Sequence, residues 1–147
     1  MNEFSQRIAR EIFASHPEWE ALAASETWKG SDPFLVVTVP APVKANTHLP
    51  LRISTWDDEV TVDFDYYHTH FSKWTPEEGD GPHDAALLYV RDLLNEKVAV
   101  VSWWQGDLCK ACAQYVPGSE LKPSFNISWT AARVRSWQGN FNANVKA

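Results

Sequence analysis

The chain has 147 residues, 44% of them hydrophobic and 22% charged, with a formal net charge of -6 and a pI near 5.3. That length and balance suit one globular domain with a single sizeable core, expected to span residues 1–147. An acidic surface excludes nucleic acid and anionic membranes as favoured partners and points to a basic one.

The start, MNEFSQRIARE, interleaves acids and bases, and no apolar run reaches the length of a signal peptide or a bilayer span. The expected location is therefore the cytoplasm. Cys109 and Cys112 are the two cysteines, which is no disulfide framework and fits a reducing compartment. Eight tryptophans are a stronger clue, because large aromatics both fill small cores and anchor protein interfaces.

Phe4, Ile8 and Ile12 recur four apart, with Ala9 and Phe13 beside them and Arg7, Arg10 and Glu11 elsewhere on the wheel. Residues 2–15 are thus predicted to form an amphipathic helix lying as a lid on a sheet. Pro17 suits the first turn of a short second helix, capped by Ser15 or His16, with Trp19 and Leu22 as its apolar contacts. Residues 27–33, with Gly30 and the Asp32-Pro33 pair, read as a loop. Residues 34–39, FLVVTV, read as a strand closed by Pro40 and Pro42, and residues 43–49 as a surface connection. A short strand at 51–54 turns back through 55–58 into a hairpin.

The pattern is strongest in residues 56–74, WDDEVTVDFDYYHTHFSKW. Val60, Val62, Phe64, Tyr66, His68 and His70 alternate with Glu59, Thr61, Asp63 and Asp65, a period of two that predicts one long half-buried strand. Val60, Val62 and Phe64 should face a core, and Glu59, Asp63 and Asp65 water, with Asp57 and Asp58 extending the acidic patch. Residues 75–82 combine prolines and glycines with Glu77, Glu78 and Asp80, which predicts a solvated recognition loop.

Residues 83–95 place Ala86, Leu87, Val90, Leu93 and Leu94 on one stripe, a second helix. Strands are expected at 98–104 and 108–115 around a tight Gly106-Asp107 turn, and again at 124–130, where Phe125, Ile127 and Trp129 alternate with polar residues. Residues 133–137 either continue that last strand or begin another before a Gly139-Asn140 turn. The order predicts an α+β domain: a mainly antiparallel sheet with the N-terminal helix and one central helix packed on one face. The opposite face would then be partly exposed.

His68 and His70, two apart on a strand, point the same way, as strand-borne metal ligands or an acid/base pair would. They also suit residues that tie a strand end to the next loop through ordinary hydrogen bonds. The CKAC spacing of Cys109 and Cys112 is half a zinc knuckle or a redox pair, yet no second CxxC exists and the neighbours suggest a strand. The two histidines and two cysteines would together make a Cys2His2 set, which leaves a small zinc-binding protein or metal-dependent enzyme as the alternative reading. The carboxylates at 57–65 have the composition of an acid cluster, but outward acids on an exposed sheet more often serve solvation and edge protection. GxSxG, HExxH, P-loop and GxGxxG motifs are absent. No catalytic residue, metal ligand or cofactor is assigned, and the chain reads as a non-enzyme.

DEVTVDFDYYHTHFSKW, followed by VSWWQGD and RVRSWQG, resembles the small, acidic, Trp-rich immunity proteins of bacterial polymorphic-toxin and contact-dependent-inhibition systems, in particular the Trp-rich TriTu family. The likeness covers roughly the C-terminal two thirds of the chain in outline. It implies a cytoplasmic protein that binds and blocks one cognate toxin, and the CKAC pair has no place in that pattern. With the acidic composition, it makes a basic toxin such as a nuclease the expected partner. Asp57, Asp58, Glu59, Asp63 and Asp65 are the expected electrostatic contacts, Glu77, Glu78 and Asp80 a loop rim, and Trp74 and Trp104 the anchors.

Overall fold

A computed structural model describes residues 1–72 and 82–147, with only the backbone at 82–84. The class is α+β: two antiparallel sheets, an N-terminal helix α1 (Glu3–Ser15) and a central helix α2 (Pro82–Leu94). The expected loop at 75–82, with Trp74, Glu77, Glu78 and Asp80, lies outside the described residues but for the backbone of Pro82. The chain groups into two compact units interleaved in sequence. The first is Met1–Pro40, Pro50–Asp63 and His68–Leu88, and the second is Ala41–Leu49, Phe64–Tyr67 and Tyr89–Ala147.

In the first unit α1 begins where the Asn2 side chain accepts a hydrogen bond from the Ser5 N–H at 2.9 Å, supplying one of the partners that a helix start lacks. Its buried stripe is Ser5, Ile8, Ala9 and Ile12. Each fully buried isoleucine contributes roughly 1.5–3 kcal/mol. A six-residue 3-10 helix (Pro17–Leu22) follows, with Trp19 buried as expected and Leu22 exposed instead of packed.

The sheet of this unit runs in chain order: β1 (Ala23–Glu26), β2 (Phe34–Val39), β3 (Leu51–Ser54), β4 (Val60–Phe64) and β5 (Tyr67–Phe71). β2 and β3 fall where the sequence predicted them. AASE carries no β-branched or aromatic residue to mark β1 as a strand; pairing along β2, with Ala23 opposite Val37, makes it one. The long strand expected from the alternation over 59–70 is a hairpin. It breaks after Phe64 at a two-residue turn, Asp65-Tyr66, with Asp65 at φ 57. Val60, Val62 and Phe64 are buried as predicted, while His68 and His70 are exposed on the returning strand.

One hydroxyl holds several of these parts together. Thr55, 1% exposed, accepts from the Leu35 N–H at 3.0 Å and shares a 2.6 Å hydrogen bond with the Ser5 hydroxyl, while its own N–H donates to the Leu35 carbonyl at 3.1 Å. It thereby joins α1 to the end of β3 and the start of β2.

In the second unit the sheet order is β7 (Leu108–Tyr115), β6 (Ala99–Gln105), β8 (Ala131–Arg135) and β9 (Ala143–Lys146). β6 and β7 form the expected hairpin around Gly106, which is at φ 58 as such a short turn requires. One face buries Ala99, Val101, Trp103, Ala132 and Val134, with Leu121, Ile127 and Trp129 packed against it. This corrects the strand expected at 124–130. The segment is extended enough to aim Ile127 and Trp129 at the core, but it covers the sheet's face instead of pairing with an edge, and Phe125 stays 73% exposed. A period of two reports an extended chain with one dry side, not a ladder partner.

The connection at 43–49 is less superficial than its polarity suggested. Ala45 is fully buried, and Asn142 donates to the carbonyls of Lys44 and Ala45 at 3.2 and 2.8 Å. Gly139, at φ 75, presses its Cα so close to the Lys44 carbonyl that any side chain there would collide. Glu96 closes the same corner, accepting from the Gln138 and Asn140 N–H groups at 3.2 Å each. Burial alone would raise its carboxyl, but hydrogen bonds from Ser136, Asn140 and Gln138 together outweigh that and hold it below the usual carboxylate range.

Two outcomes follow. Thr55→Val, nearly isosteric, leaves the Leu35 N–H and the Ser5 hydroxyl short of a partner and should cost about 1–3 kcal/mol in urea unfolding; an unchanged midpoint would remove the hydroxyl from its joining role. Because the folded pKa of Glu96 is depressed, its contribution is present above the unfolded pKa and lost as pH falls through the folded one. Glu96→Gln should therefore lower thermal stability at neutral pH, with the difference from the parent protein shrinking towards zero on acidification.

Candidate functional site

The acids expected on one exposed face do not act alike. Asp63 lies opposite Arg52 across β3 and β4, with 3.9 Å between charged atoms, and Arg52 also reaches Glu26 at 3.7 Å. Glu59 lies 3.5 Å from His70, whose Nδ1 shares a 2.8 Å hydrogen bond with Thr61. This side of the first sheet is a lattice of mixed charge, and pairs this exposed contribute about 0–1 kcal/mol each. Asp65 is not on it at all. It is 3% exposed, and its carboxylate accepts the His48 N–H at 2.7 Å. Trp104, expected as an exposed anchor, is 6% exposed and donates its indole N–H to the Ser102 hydroxyl at 2.8 Å.

Asp57 and Asp58 keep the expected exposure, and their neighbours were not foreseen. Both adopt left-handed conformations, at φ 58 and 55, in a tight turn closed by the Glu59 N–H on the Trp56 carbonyl at 3.2 Å. Aspartate tolerates that region better than most residues. The Asn2 side chain that caps α1 also donates to Asp58 at 3.0 Å, which fixes one carboxylate beside the positive end of a helix.

Facing this turn is the loop 28–32. Its shape is set by Ser31, whose N–H donates to the Trp28 carbonyl at 2.9 Å and whose hydroxyl accepts from the Trp28 N–H at 3.0 Å. Trp28 and Trp56 are 50% and 39% exposed, with ring centroids 4.9 Å apart and planes tilted by 48°. Asp32, Asp57 and Asp58 share with these indoles a recess of about 390 Å³. The Lys29 ammonium stands 4.9 Å from the Trp28 ring centre. Two indoles and three carboxylates against one lysine make a surface that attracts cations by charge and by the π face together. Trp56 opens the stretch singled out in the sequence and falls in the turn expected at 55–58; Trp28, within a loop, gave no signal beyond its size.

The second unit gathers a different set. His48 stacks on Tyr66, with centroids 4.4 Å apart and planes within 1°, and Tyr66 meets the Trp104 ring edge-on at 4.9 Å. The Arg133 guanidinium lies 4.2 Å from the Trp104 ring centre. Cys109 and Cys112 share the same sheet face as Trp104. Their partners on β6 are Trp104 and Ser102, because a bulge at Lys110 removes the usual alternation between positions three apart. Burial pushes both thiols up, and the nearby Asp65 charge adds to that, so neither is an activated thiolate. His68 and His70 belong to the first unit, adjacent on β5 with ring centroids 5.2 Å apart. Among the described residues no group of three or more His, Cys, Asp or Glu side chains is arranged to hold a metal ion.

No protein-family model, curated protein or solved structure matches the chain. No helix among the described residues is long and apolar enough to cross a membrane.

Relative to the same ions acting on free N-acetyltryptophanamide, the fluorescence lost in a Trp28→Phe/Trp56→Phe double variant should show enhanced quenching by caesium and reduced quenching by iodide, and Asp57→Asn/Asp58→Asn should shrink both differences. A caesium-to-iodide ratio equal to that of the free reference would show that the carboxylates set no local potential at the indoles.

Proposed function

We propose that the chain is an immunity-type protein that binds and neutralises a cognate bacterial toxin by direct contact, and that the contact is the Trp28/Trp56 recess with its aspartates. The observation that carries the reading is two large aromatic rings left 50% and 39% in water beside three carboxylates. Exposing an indole forgoes the gain from burying it, and tryptophans in such settings are the side chains that most often dominate an interface. The acids would steer a basic partner and speed its approach, and the indoles would hold the complex once water is expelled.

A nuclease-like toxin carrying arginines and lysines suits this patch, and a partner cation could take the place Lys29 occupies over the Trp28 ring. The net charge of -6 supports the same sign of partner. Blocking of this kind asks for no catalysis, metal or cofactor in this chain, and it would act in the cytoplasm, where such a toxin does its damage. The likeness to Trp-rich immunity proteins supports the reading from the sequence side. Of the residues first expected to make the contact, Asp57 and Asp58 keep that role, Glu59, Asp63, Asp65 and Trp104 give it up to internal partners, and Trp28, Trp56 and Asp32 replace them.

The test is to express the product of the gene adjacent to this chain's, alone and together with this chain, and to measure binding on the purified pair. The parent protein should protect cells and bind with an association rate that falls as salt rises. Trp56→Ala should weaken the complex by about 2 kcal/mol, roughly 30-fold, chiefly through faster dissociation. Asp57→Lys/Asp58→Lys should slow association and flatten its salt dependence. Full protection by all of these variants, or a neighbouring gene product that is not toxic, would overturn the proposal.

A further inference from the structure

The second unit holds a recess of about 270 Å³ whose walls include His48, Asp65, Tyr66, Arg133 and Arg135. Its charges are placed unusually. Arg135 is 9% exposed, and its guanidinium donates to the carbonyls of Asn46, Val134 and Ala143 at 3.1, 2.8 and 3.4 Å. Those carbonyls aim the group without neutralising it. Arg133 rests on the Trp104 ring, which supplies a π face and again no negative ion. Asp65, 3% exposed, has one hydrogen bond to its carboxylate among the described residues, from the His48 N–H.

No ion pair among the described residues joins Asp65 to either arginine, although all three line one small space. Buried opposite charges that share a cavity without meeting are costly, and the cost is relieved by a bound group that meets both. An anion alone would satisfy the guanidiniums and be repelled by Asp65. A cation alone would face two arginines.

We propose that this recess binds a small ligand carrying both an ammonium and a carboxylate, that is, a free amino acid. Its carboxylate would lie against Arg133 and Arg135, its ammonium against Asp65, and its remaining atoms along the parallel His48 and Tyr66 rings. Arginine's planar fork of donors is suited to a carboxylate, which two parallel hydrogen bonds can grip. The volume lies just below the lower end of ligand pockets, about 300 Å³, so it admits an amino acid and not a nucleotide. Two positive groups against one negative leave a surplus of one positive charge, which favours an amino acid with a second carboxylate. The inference is independent of the toxin contact, which uses a separate set of residues.

Isothermal titration calorimetry on the full chain tests it, with L-glutamate, L-aspartate, succinate, inorganic phosphate and ethylammonium as probes. Glutamate or aspartate should bind at least tenfold more tightly than succinate, which lacks the ammonium, and ethylammonium should show no heat of binding. Asp65→Asn keeps an acceptor for the His48 N–H and a residue that tolerates φ 57, so the fold should survive. It should weaken the amino acid at least tenfold while leaving succinate unchanged or tighter. Arg133→Gln should weaken both, and it serves as the second variant if Asp65→Asn fails to fold by circular dichroism. Succinate or phosphate binding as tightly as the amino acids, or no binding of either amino acid at millimolar concentration, would overturn the proposal.

Discussion

Asp65 sits at φ 57, a region where a side chain's Cβ crowds its own backbone, and its carboxylate is held by a part-buried hydrogen bond from the His48 N–H. Much of the structure depends on that one residue. Because it turns left-handed, the alternating run of Val60, Val62 and Phe64 ends after five residues and the chain folds back as β5. Because its N–H donates to the Leu49 carbonyl at 3.2 Å, the polar connection at 46–49 is pinned instead of loose. With that connection fixed, His48 lies flat on Tyr66, and a carboxylate is kept out of water at the edge of a recess that also holds two arginines.

The charges of the first sheet illustrate how little a carboxylate's identity says about its work. Arg52 on β3 meets Asp63 on the neighbouring β4 and reaches Glu26 two strands away on β1, and Glu59 and His70 meet near the sheet's end. Cross-strand pairs of this sort hold register and keep a sheet surface wet, and they leave little field to steer a partner. Asp57 and Asp58 differ because they occupy a turn instead of a strand. They stay open beside Trp56, and among the described residues Asn2, itself the cap of α1, is the one hydrogen-bonded to either of them.

The elements legible in the sequence were those whose stability is local or whose buried residues follow a clean period. The Ile8/Ile12 stripe of α1, the FLVVTV run of β2 and the Gly106-Asp107 turn each carry their own signal, and each falls where it was expected. β1 and β9 could not be read the same way. AASE has no β-branched or aromatic residue and ANVK only Val145, too little to mark a strand, and both are strands because a neighbour offers a row of backbone groups to pair with. The segment at 124–130 failed in the opposite sense, since its alternation was genuine but its backbone found a face to cover and no edge to join. Of the expected contact residues, Trp104 was misplaced because an indole's size marks it equally for a core and for an interface.

The sequence by itself determined the α+β class, the acidic balance, the two helices and the hairpin of β6 and β7, because periodicity, charge and turn chemistry are properties of neighbours along the chain. Only the tertiary structure decided which acids stay free, that Trp28 and Trp56 come together in water, and that the carboxylate of Asp65 shares a recess with Arg133 and Arg135. The two indoles are 28 positions apart and Asp65 is 68 and 70 from the two arginines, and what brings them together is the pairing and burial of the segments between, which no local pattern records.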